Sequence, residues 1–196
     1  MQLLPIHRAL ISVTDKSSLQ ELAACLQQAK AEIVSTGGTL RAIQDLGFAV
    51  TSVRDVTGFP EIMGGRVKTL HPNIHAGVLA DKDNPEHIRT LQETGIRPFD
   101  LICVNLYDFA QALQKNLELS ELIEEIDIGG PTLLRAGAKN FHSVAVLPSP
   151  KFYSKFIEEL SQHQNQVSLK FRQEMAAYTF GLISDYDKMV ASALKG

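Results

Sequence analysis

The architecture follows from residues 9–47, which read ALISVTDKSSLQELAACLQQAKAEIVSTGGTLRAIQDLG. Residues 9–13 are a short apolar run rich in β-branched side chains, and Leu19, Leu22 and Leu26 recur at helical spacing after a polar turn. The same order repeats with a strand at 31–34, a polar turn at 35–39 and a helix at 40–46 that ends before Gly47. Strands that alternate with helices predict a parallel sheet covered on both faces.

The remainder of the chain continues this alternation. We predict strands at residues 48–53, 99–106 and 143–147, and helices at residues 84–94, 117–126, 132–139, 149–162 and 168–193. Residues 57–77 hold more Gly, Pro and His than periodic apolar residues, which predicts an ordered loop with a short helix. The prediction is one α/β domain over residues 1–196, with a parallel-sheet core at about 1–148 and an added C-terminal helical region at about 149–196.

The composition argues against several classes of partner and location. The 196 residues carry 19 Lys plus Arg against 22 Asp plus Glu, a formal net charge of −3, which disfavours nucleic acid and anionic membranes as partners. The sequence shows neither a secretory signal nor a run of about 18 apolar residues, so we expect a cytoplasmic protein. Cys25 and Cys103 lie far apart among apolar neighbours, and we expect both to be buried, reduced thiols.

The turn at residues 35–39, Ser-Thr-Gly-Gly-Thr, carries the clearest phosphate signal. Adjacent glycines between a strand and a helix let backbone N–H groups converge where the helix dipole favours an anion, and the three hydroxyls add donors. Residues 12–16 come at the end of the preceding strand, and Ser12, Thr14 and Lys16 bring further donors to the same edge of the sheet. The alternative is a flexible turn with a threonine cap.

Residues 64–72, Gly-Gly-Arg-Val-Lys-Thr-Leu-His-Pro, place two cations around one apolar residue. If this segment is extended, Arg66 and Lys68 face the same side and together suit an anionic ligand, whereas the alternative is a solvated basic turn. His71 and His75 have a spacing that could bind a metal on a helix. Pro72 fits badly in a helix interior, however, and no cysteine or carboxylate triad accompanies the pair, so we predict no metal site.

Residues 126–140 are the most informative segment. Asp127 precedes a Gly-Gly-Pro helix start, where Pro131 suits a first helical position and free N–H groups form an oxyanion site. Lys139 follows an uncharged run of small residues, so we expect its ammonium to be partly desolvated and its proton easier to lose. The alternative is that both charges only complement a helix dipole. Tyr107 would project from the same edge of the sheet.

Together these motifs resemble the IMP cyclohydrolase part of the bifunctional purine-biosynthesis proteins that also carry AICAR transformylase. The resemblance is carried, in order along the chain, by residues 9–16, 35–39, 57–61, 64–72, 75–77, 105–107, 126–130, 133–136 and 138–140. It implies a methylglyoxal-synthase-like, three-layer α/β fold. It also implies a hydrolase that acts on a cyclic amidine, closing formamidoimidazole carboxamide ribotide to inosine monophosphate with loss of water, without a metal or other cofactor.

The resemblance also implies site residues. Four would surround the reacting end: Lys68, Tyr107, Asp127 and Lys139. The nucleotide would be held by Ser12, Thr14, Asp15, Lys16, Thr36, Gly37, Gly38, Thr39, Arg66, Val67, Thr69, Asn105, Ile128, Gly129 and Gly130. Lys139 would donate and accept the proton with help from Asp127, while Lys68 and the N–H groups of residues 128–130 would stabilise the formyl oxygen. We therefore expect Lys68 and Lys139 to lie in one cleft.

The sequence departs from the family pattern at three places. Asp108 stands where the family usually has Pro, and its charge lies beside Tyr107. Residues 180–187 keep the family's Phe and Tyr-Asp but lack the usual His-Thr-Ala, and we interpret this helix as packing. The family proteins continue into a transformylase domain beyond the position of Gly196, so we expect either that this is an excised domain or that a transformylase on a separate chain is its partner, and we expect at most modest self-association.

Two rival functions share the predicted fold. A nucleotide-sensing regulatory domain, as in carbamoyl-phosphate synthetases, has a similar Thr-Gly-Gly-Thr turn but would not need the basic loop or Asp127 with Lys139. Methylglyoxal synthase acts on a triose phosphate, and so small a substrate would leave the long loop without a role.

Overall fold

The computed structural model describes residues 2–115 and 117–195. Its strands are β1 (Leu3–Pro5), β2 (Arg8–Ser12), β3 (Glu32–Ser35), β4 (Thr51–Ser52), β5 (Leu101–Val104), β6 (Ala145–Leu147) and β7 (Gln166–Ser168). Its α-helices are α1 (Leu19–Gln28), α2 (Gly37–Asp45), α3 (Val53–Thr57), α4 (Pro72–Leu79), α5 (Pro85–Thr94), α6 (Phe109–Gln114), α7 (Leu119–Glu124), α8 (Gly129–Lys139), α9 (Tyr153–Gln162) and α10 (Leu169–Ala193). Short 3-10 turns occupy Met63–Gly65 and Pro150–Phe152.

The central sheet is parallel, with strand order β4-β3-β2-β5-β6. Consecutive residues of β5 and β6 are all buried, so both faces of the sheet are covered, as the apolar runs predicted. Among the helices, α1 contacts α2 and α9, whereas α8 contacts α4 and α10. The chain first adds strands to one side of β2 and then to the other, which creates a topological switch point between β2 and β5.

The N-terminal strand and the start of the long C-terminal helix are joined by contacts that the periodicity did not predict. Strands β1 and β7 form a two-stranded antiparallel sheet next to the start of α10. Arg172 on α10 is fully buried, and its guanidinium donates to the carbonyl oxygens of Gln2 and Phe141. The long C-terminal helix is thereby fixed against the sheet domain.

Several element boundaries differ from the prediction. The strand expected at 48–53 is only Thr51–Ser52, because Ser52 caps α3 by accepting from the N–H of Asp55. Helix α2 begins at Gly37 rather than at residue 40, and α8 begins at Gly129, so Pro131 is its third residue instead of its first.

Asp108 caps α6, a helix absent from the prediction, by accepting from the N–H of Gln111 at 3.0 Å. The proline-to-aspartate departure therefore has a local structural role. Cys103 is buried as expected, whereas Cys25 is only partly buried. Within residues 2–115 and 117–195, no helix combines the length and apolar character that crossing a bilayer requires.

Candidate functional site

A cleft of about 790 Å³ opens beyond the carboxyl ends of β2, β3 and β5, at the switch point of the sheet. This volume lies in the range of small-molecule sites. The cleft is lined by most of the predicted site residues: Ser12, Thr14, Lys16, Thr36, Gly37, Gly38, Thr39, Arg66, Val67, Lys68, Thr69, Asn105, Tyr107, Asp127, Ile128, Gly129 and Gly130. The fold therefore joins segments that lie more than a hundred residues apart in sequence.

The floor of the cleft includes the N-terminus of α2, where residues 37–39 begin the helix. Their N–H groups have no carbonyl acceptor within the helix, because they belong to its first turn. The N-cap residue Thr36 makes no side-chain capping bond. The Thr39 hydroxyl donates instead to the carbonyl of Val13, directly after β2, at 2.9 Å, and the Ser35 hydroxyl donates to the carbonyl of Ile11 in β2 at 2.7 Å. The hydroxyls of Ser35, Thr36 and Thr39 were expected to face an anion. Those of Ser35 and Thr39 instead bind the backbone at the end of β2.

We refer to residues 36–39 together with Lys68 as the anion cup. The Lys68 ammonium approaches the helix start closely, since a Cβ atom at Gly37 would lie 3.7 Å from its Nζ. Gly65, with φ +91°, lies under the same side chain, and a Cβ there would come within 2.7 Å of Lys68 Cε. Position 65 therefore requires glycine for two reasons: its φ is positive, and a Cβ atom would collide with the Lys68 side chain. The cup combines a cation with free helix N–H groups, which suits a phosphate.

The two cations of the basic loop have different surroundings. Lys68 Nζ lies 3.9 Å from Glu61 Oε2, whereas Arg66 donates to Glu124 of α7 at 2.9 Å. Arg66 has helical backbone angles, so the segment is not the extended one from which the alternation was expected, although both side chains line the cleft. The Arg66 and Glu124 side chains are 64% and 61% exposed, and such exposed pairs contribute little to stability. A ligand can therefore recruit Arg66 at small cost.

Asn105 organises the loop that follows β2. Its side-chain oxygen accepts from the N–H groups of Thr14 at 2.6 Å and Asp15 at 3.1 Å, and its amide nitrogen donates to the Asp15 carbonyl. Asp15 is absent from the cleft lining, because its carboxylate turns back to the N–H and hydroxyl of Ser17. Those hydrogen bonds lower the pKa of Asp15. Of the predicted substrate-binding residues, Asp15 is therefore the one that this geometry does not bring to the cleft.

Asp127 is the half-buried carboxylate of the cleft. Its Oδ1 accepts from the N–H of Gly130 at 2.8 Å, and a Cβ at Gly130 would collide with this carboxylate, so the position requires glycine. Burial raises the pKa of Asp127, while the N–H groups of Gly130, Tyr107 and Gly129 and the charge of Lys68 oppose that rise. The N–H groups of Gly129 and Gly130 donate to Asp127, so of the N–H groups of residues 128–130 expected to stabilise the formyl oxygen, these two are already engaged.

Lys139 lies outside the cleft. It ends helix α8, which has 11 residues, so its backbone is about 15 Å from the helix start that lines the site. The four-carbon stem of a lysine is much shorter than this distance. Lys139 is also exposed, not desolvated. The predicted convergence of Lys68 and Lys139 is therefore wrong for this chain, and Lys139 fits the alternative of a cation that complements a helix C-terminus.

Three residues near the site had no predicted role. Glu61 accepts a hydrogen bond from the Thr36 hydroxyl, and Glu124 pairs with Arg66 as described above. The hydroxyl of Tyr186 on α10 accepts from the N–H of Asp127 at 2.7 Å. Glu61 and Tyr186 lie in segments that the family resemblance had already marked, residues 57–61 and 180–187, but only tertiary contacts connect them to the cleft.

Comparison with known proteins identifies the class. Residues 18–132 match the family model of the MGS-like domain, and residues 137–196 match that of the AICARFT/IMPCHase bienzyme. The chain belongs to the MGS-like domain family, and the predicted fold class is confirmed. Within described residues 2–115 and 117–195, no group of three or more His, Cys, Asp or Glu side chains could hold a metal ion.

The particular relatives are bifunctional purine biosynthesis proteins PurH. The chain is 52% identical over 185 residues to the protein of Gloeothece citriformis and 47% identical over 189 residues to that of Clostridium botulinum. These alignments cover 93% and 96% of this chain but only 36% and 38% of the relatives. The crystal structure of ForH is also similar, with a TM-score of 0.84 and 32% identity over 94% of this chain and 95% of that one. The resemblance predicted from the motifs is confirmed.

Proposed function

We propose that this chain is an IMP cyclohydrolase, which closes 5-formamidoimidazole-4-carboxamide ribotide to inosine monophosphate with loss of water in the last step of de novo purine synthesis. The observation that carries the proposal is that the anion cup and Asp127 line the same cleft. The similarity to PurH proteins along most of the chain supports the same reaction. The cytoplasmic location and weak self-association remain predictions.

In this proposal the ribotide phosphate occupies the anion cup. The N–H groups of residues 37–39 and the Lys68 ammonium supply donors and positive charge there. Lys16 adds a second cation at the same edge of the cleft. The base then extends toward Asp127 and Tyr107. Tyr107 is 46% exposed, lines the cleft and orients the ring.

The chemistry needs two proton movements. The carboxamide nitrogen attacks the formyl carbon, forming a C–N bond and losing one proton, while the formyl oxygen gains a proton. The formamido nitrogen then gives up its proton as that oxygen leaves as water and a C=N bond forms. The reaction is intramolecular and its nucleophile is weak, so positioning and charge stabilisation dominate the catalysis.

Asp127 and Lys68 are assigned to these steps. The Asp127 carboxylate accepts the proton of the attacking nitrogen, and the raised pKa of Asp127 makes it a better base than an ordinary aspartate. Lys68 lies close enough to Asp127 to favour its charged form. Because the Lys68 ammonium binds the phosphate in the anion cup, its part in the ring closure is this electrostatic effect on Asp127. Lys139 has no part in this assignment.

Ultraviolet absorbance during incubation with the formylated ribotide tests the proposal. Appearance of the hypoxanthine spectrum supports the cyclohydrolase. Tight binding of inosine monophosphate without turnover would instead indicate a nucleotide-sensing domain, and phosphate release from dihydroxyacetone phosphate would indicate methylglyoxal synthase. The substrate would come from a transformylase activity, as the name of the bienzyme family suggests.

A further inference from the structure

Glu61 brings a negative charge to the anion cup. Its carboxylate accepts a hydrogen bond from the Thr36 hydroxyl through Oε1, and its other oxygen lies 3.9 Å from Lys68 Nζ. The same oxygen would be 3.8 Å from a Cβ atom at Gly65. An acidic side chain thus holds both the hydroxyl donor and the cation of the cup.

These partners are the groups that a phosphate ester needs. With Thr39 bound to β2, Thr36 is the hydroxyl of the helix start that faces the cup, and Lys68 is the cation beside it. A phosphate on the same donors would lie next to the Glu61 carboxylate, and two anions in such proximity repel each other. The carboxylate and the phosphate therefore cannot both keep these contacts.

Glu61 is able to leave. Its side chain is 41% exposed and belongs to the loop between α3 and the 3-10 turn, so solvent can receive the carboxylate. The separation from Lys68 exceeds hydrogen-bond length, so one hydrogen bond to Thr36 is the main side-chain contact to break.

We infer that Glu61 is an internal competitor for the phosphate subsite: it satisfies Thr36 and Lys68 while the cleft is empty, and an incoming phosphate displaces it. This inference rests on the proposed nucleotide function and adds a determinant of ligand affinity to it. The affinity for inosine monophosphate is lower than the cup alone would give, which speeds release of the product.

The test compares Glu61→Gln with the unaltered chain. Glutamine keeps an acceptor for the Thr36 hydroxyl but removes the charge, so the inference predicts roughly tenfold tighter binding of inosine monophosphate and of inorganic phosphate by calorimetry. Inosine, which lacks the phosphate, should bind equally to both proteins. Glu93→Gln is the matched control, since it removes the same charge from an exposed position on α5 and should leave all three affinities unchanged.

Each outcome decides the matter. Weaker or unchanged binding of inosine monophosphate by Glu61→Gln, with the unaltered chain binding normally, would overturn the competitor role and indicate that Glu61 positions Lys68 and Thr36. A loss of inosine affinity would overturn it in favour of a ribose contact. If neither protein binds inosine monophosphate, the proposed function fails and this inference fails with it.

Discussion

The two ends of helix α8 differ more than their sequence suggests. At the N-terminal end, Asp127 is half-buried, accepts backbone hydrogen bonds and feels the charge of Lys68. At the C-terminal end, Lys139 is exposed and about 15 Å away along the helix axis. Both residues belong to the sequence motif at residues 126–140. Because most of that motif is one rigid helix, its two ends lie in different environments. Only the first end has the features of a catalytic site.

The largest expected effect is the loss of the carboxylate at the first end. Asp127→Asn removes the proposed base while keeping an oxygen acceptor for Gly130, so kcat should fall by about 10²- to 10³-fold with little change in inosine monophosphate affinity. Hypoxanthine absorbance measures the rate. Asp185→Asn, an exposed aspartate on α10, is the control and should retain full activity. Near-normal turnover of the Asp127 variant would show that the N-terminal end of α8 holds no catalytic base.

A smaller effect is expected at the support of that end. Tyr186→Phe leaves the N–H of Asp127 without its acceptor, and because Tyr186 is buried, the loss should cost about 1–3 kcal/mol of stability. We expect kcat to fall by about three- to tenfold while KM stays constant, because the nucleotide is held elsewhere. Equal changes in kcat and KM, measured at a temperature where the variant is folded, would contradict a positioning role.

The stability difference between the Asp127→Asn variant and the unaltered chain should depend on pH. Burial raises the pKa of Asp127 above its ordinary value of 3.8, so its contribution to stability is complete below that value and is lost as pH rises through the folded-state pKa. The ionised carboxylate thus weakens the fold at neutral pH. Asp127→Asn should have a higher Tm than the unaltered chain at pH 7, by about 2 °C, and the gap should vanish near pH 3.5. Thermal melts at both pH values test this, and a lower Tm of the variant at pH 7 would refute it.

The smallest effect is expected at the far end of the helix. Lys139→Ala removes a cation that complements the α8 dipole, which should lower stability by about 0.3–1 kcal/mol and change kcat by less than about twofold. Lys139→Arg keeps the charge and should restore the stability. A hundredfold loss of turnover in the alanine variant would contradict the position of Lys139 outside the cleft and would indicate that Lys139 takes part in catalysis.

Much of the site could be predicted because it lies in turns that immediately follow strands. The α2 turn, the loop after β2 and the Asp127 helix start are local patterns, and the carboxyl ends of parallel strands bring them to one edge. Glu61 and Tyr186 could not be assigned in this way, because a loop carboxylate and a helix tyrosine have no local pattern that states their distant partners. The side-chain direction of Asp15 likewise depends on the turn it makes with Ser17.

The sequence by itself determined the alternation of strands and helices, the phosphate-type turn and the family to which the chain belongs, because each is a property of neighbouring residues and their periodicity. Only the tertiary structure decided which charges meet. It brought Lys68 to α2 and Glu61, gave Asp127 the support of α10, and left Lys139 outside. The physical reason is that a helix carries its residues along its axis by a fixed rise, whereas the contacts between loops depend on how all the elements pack.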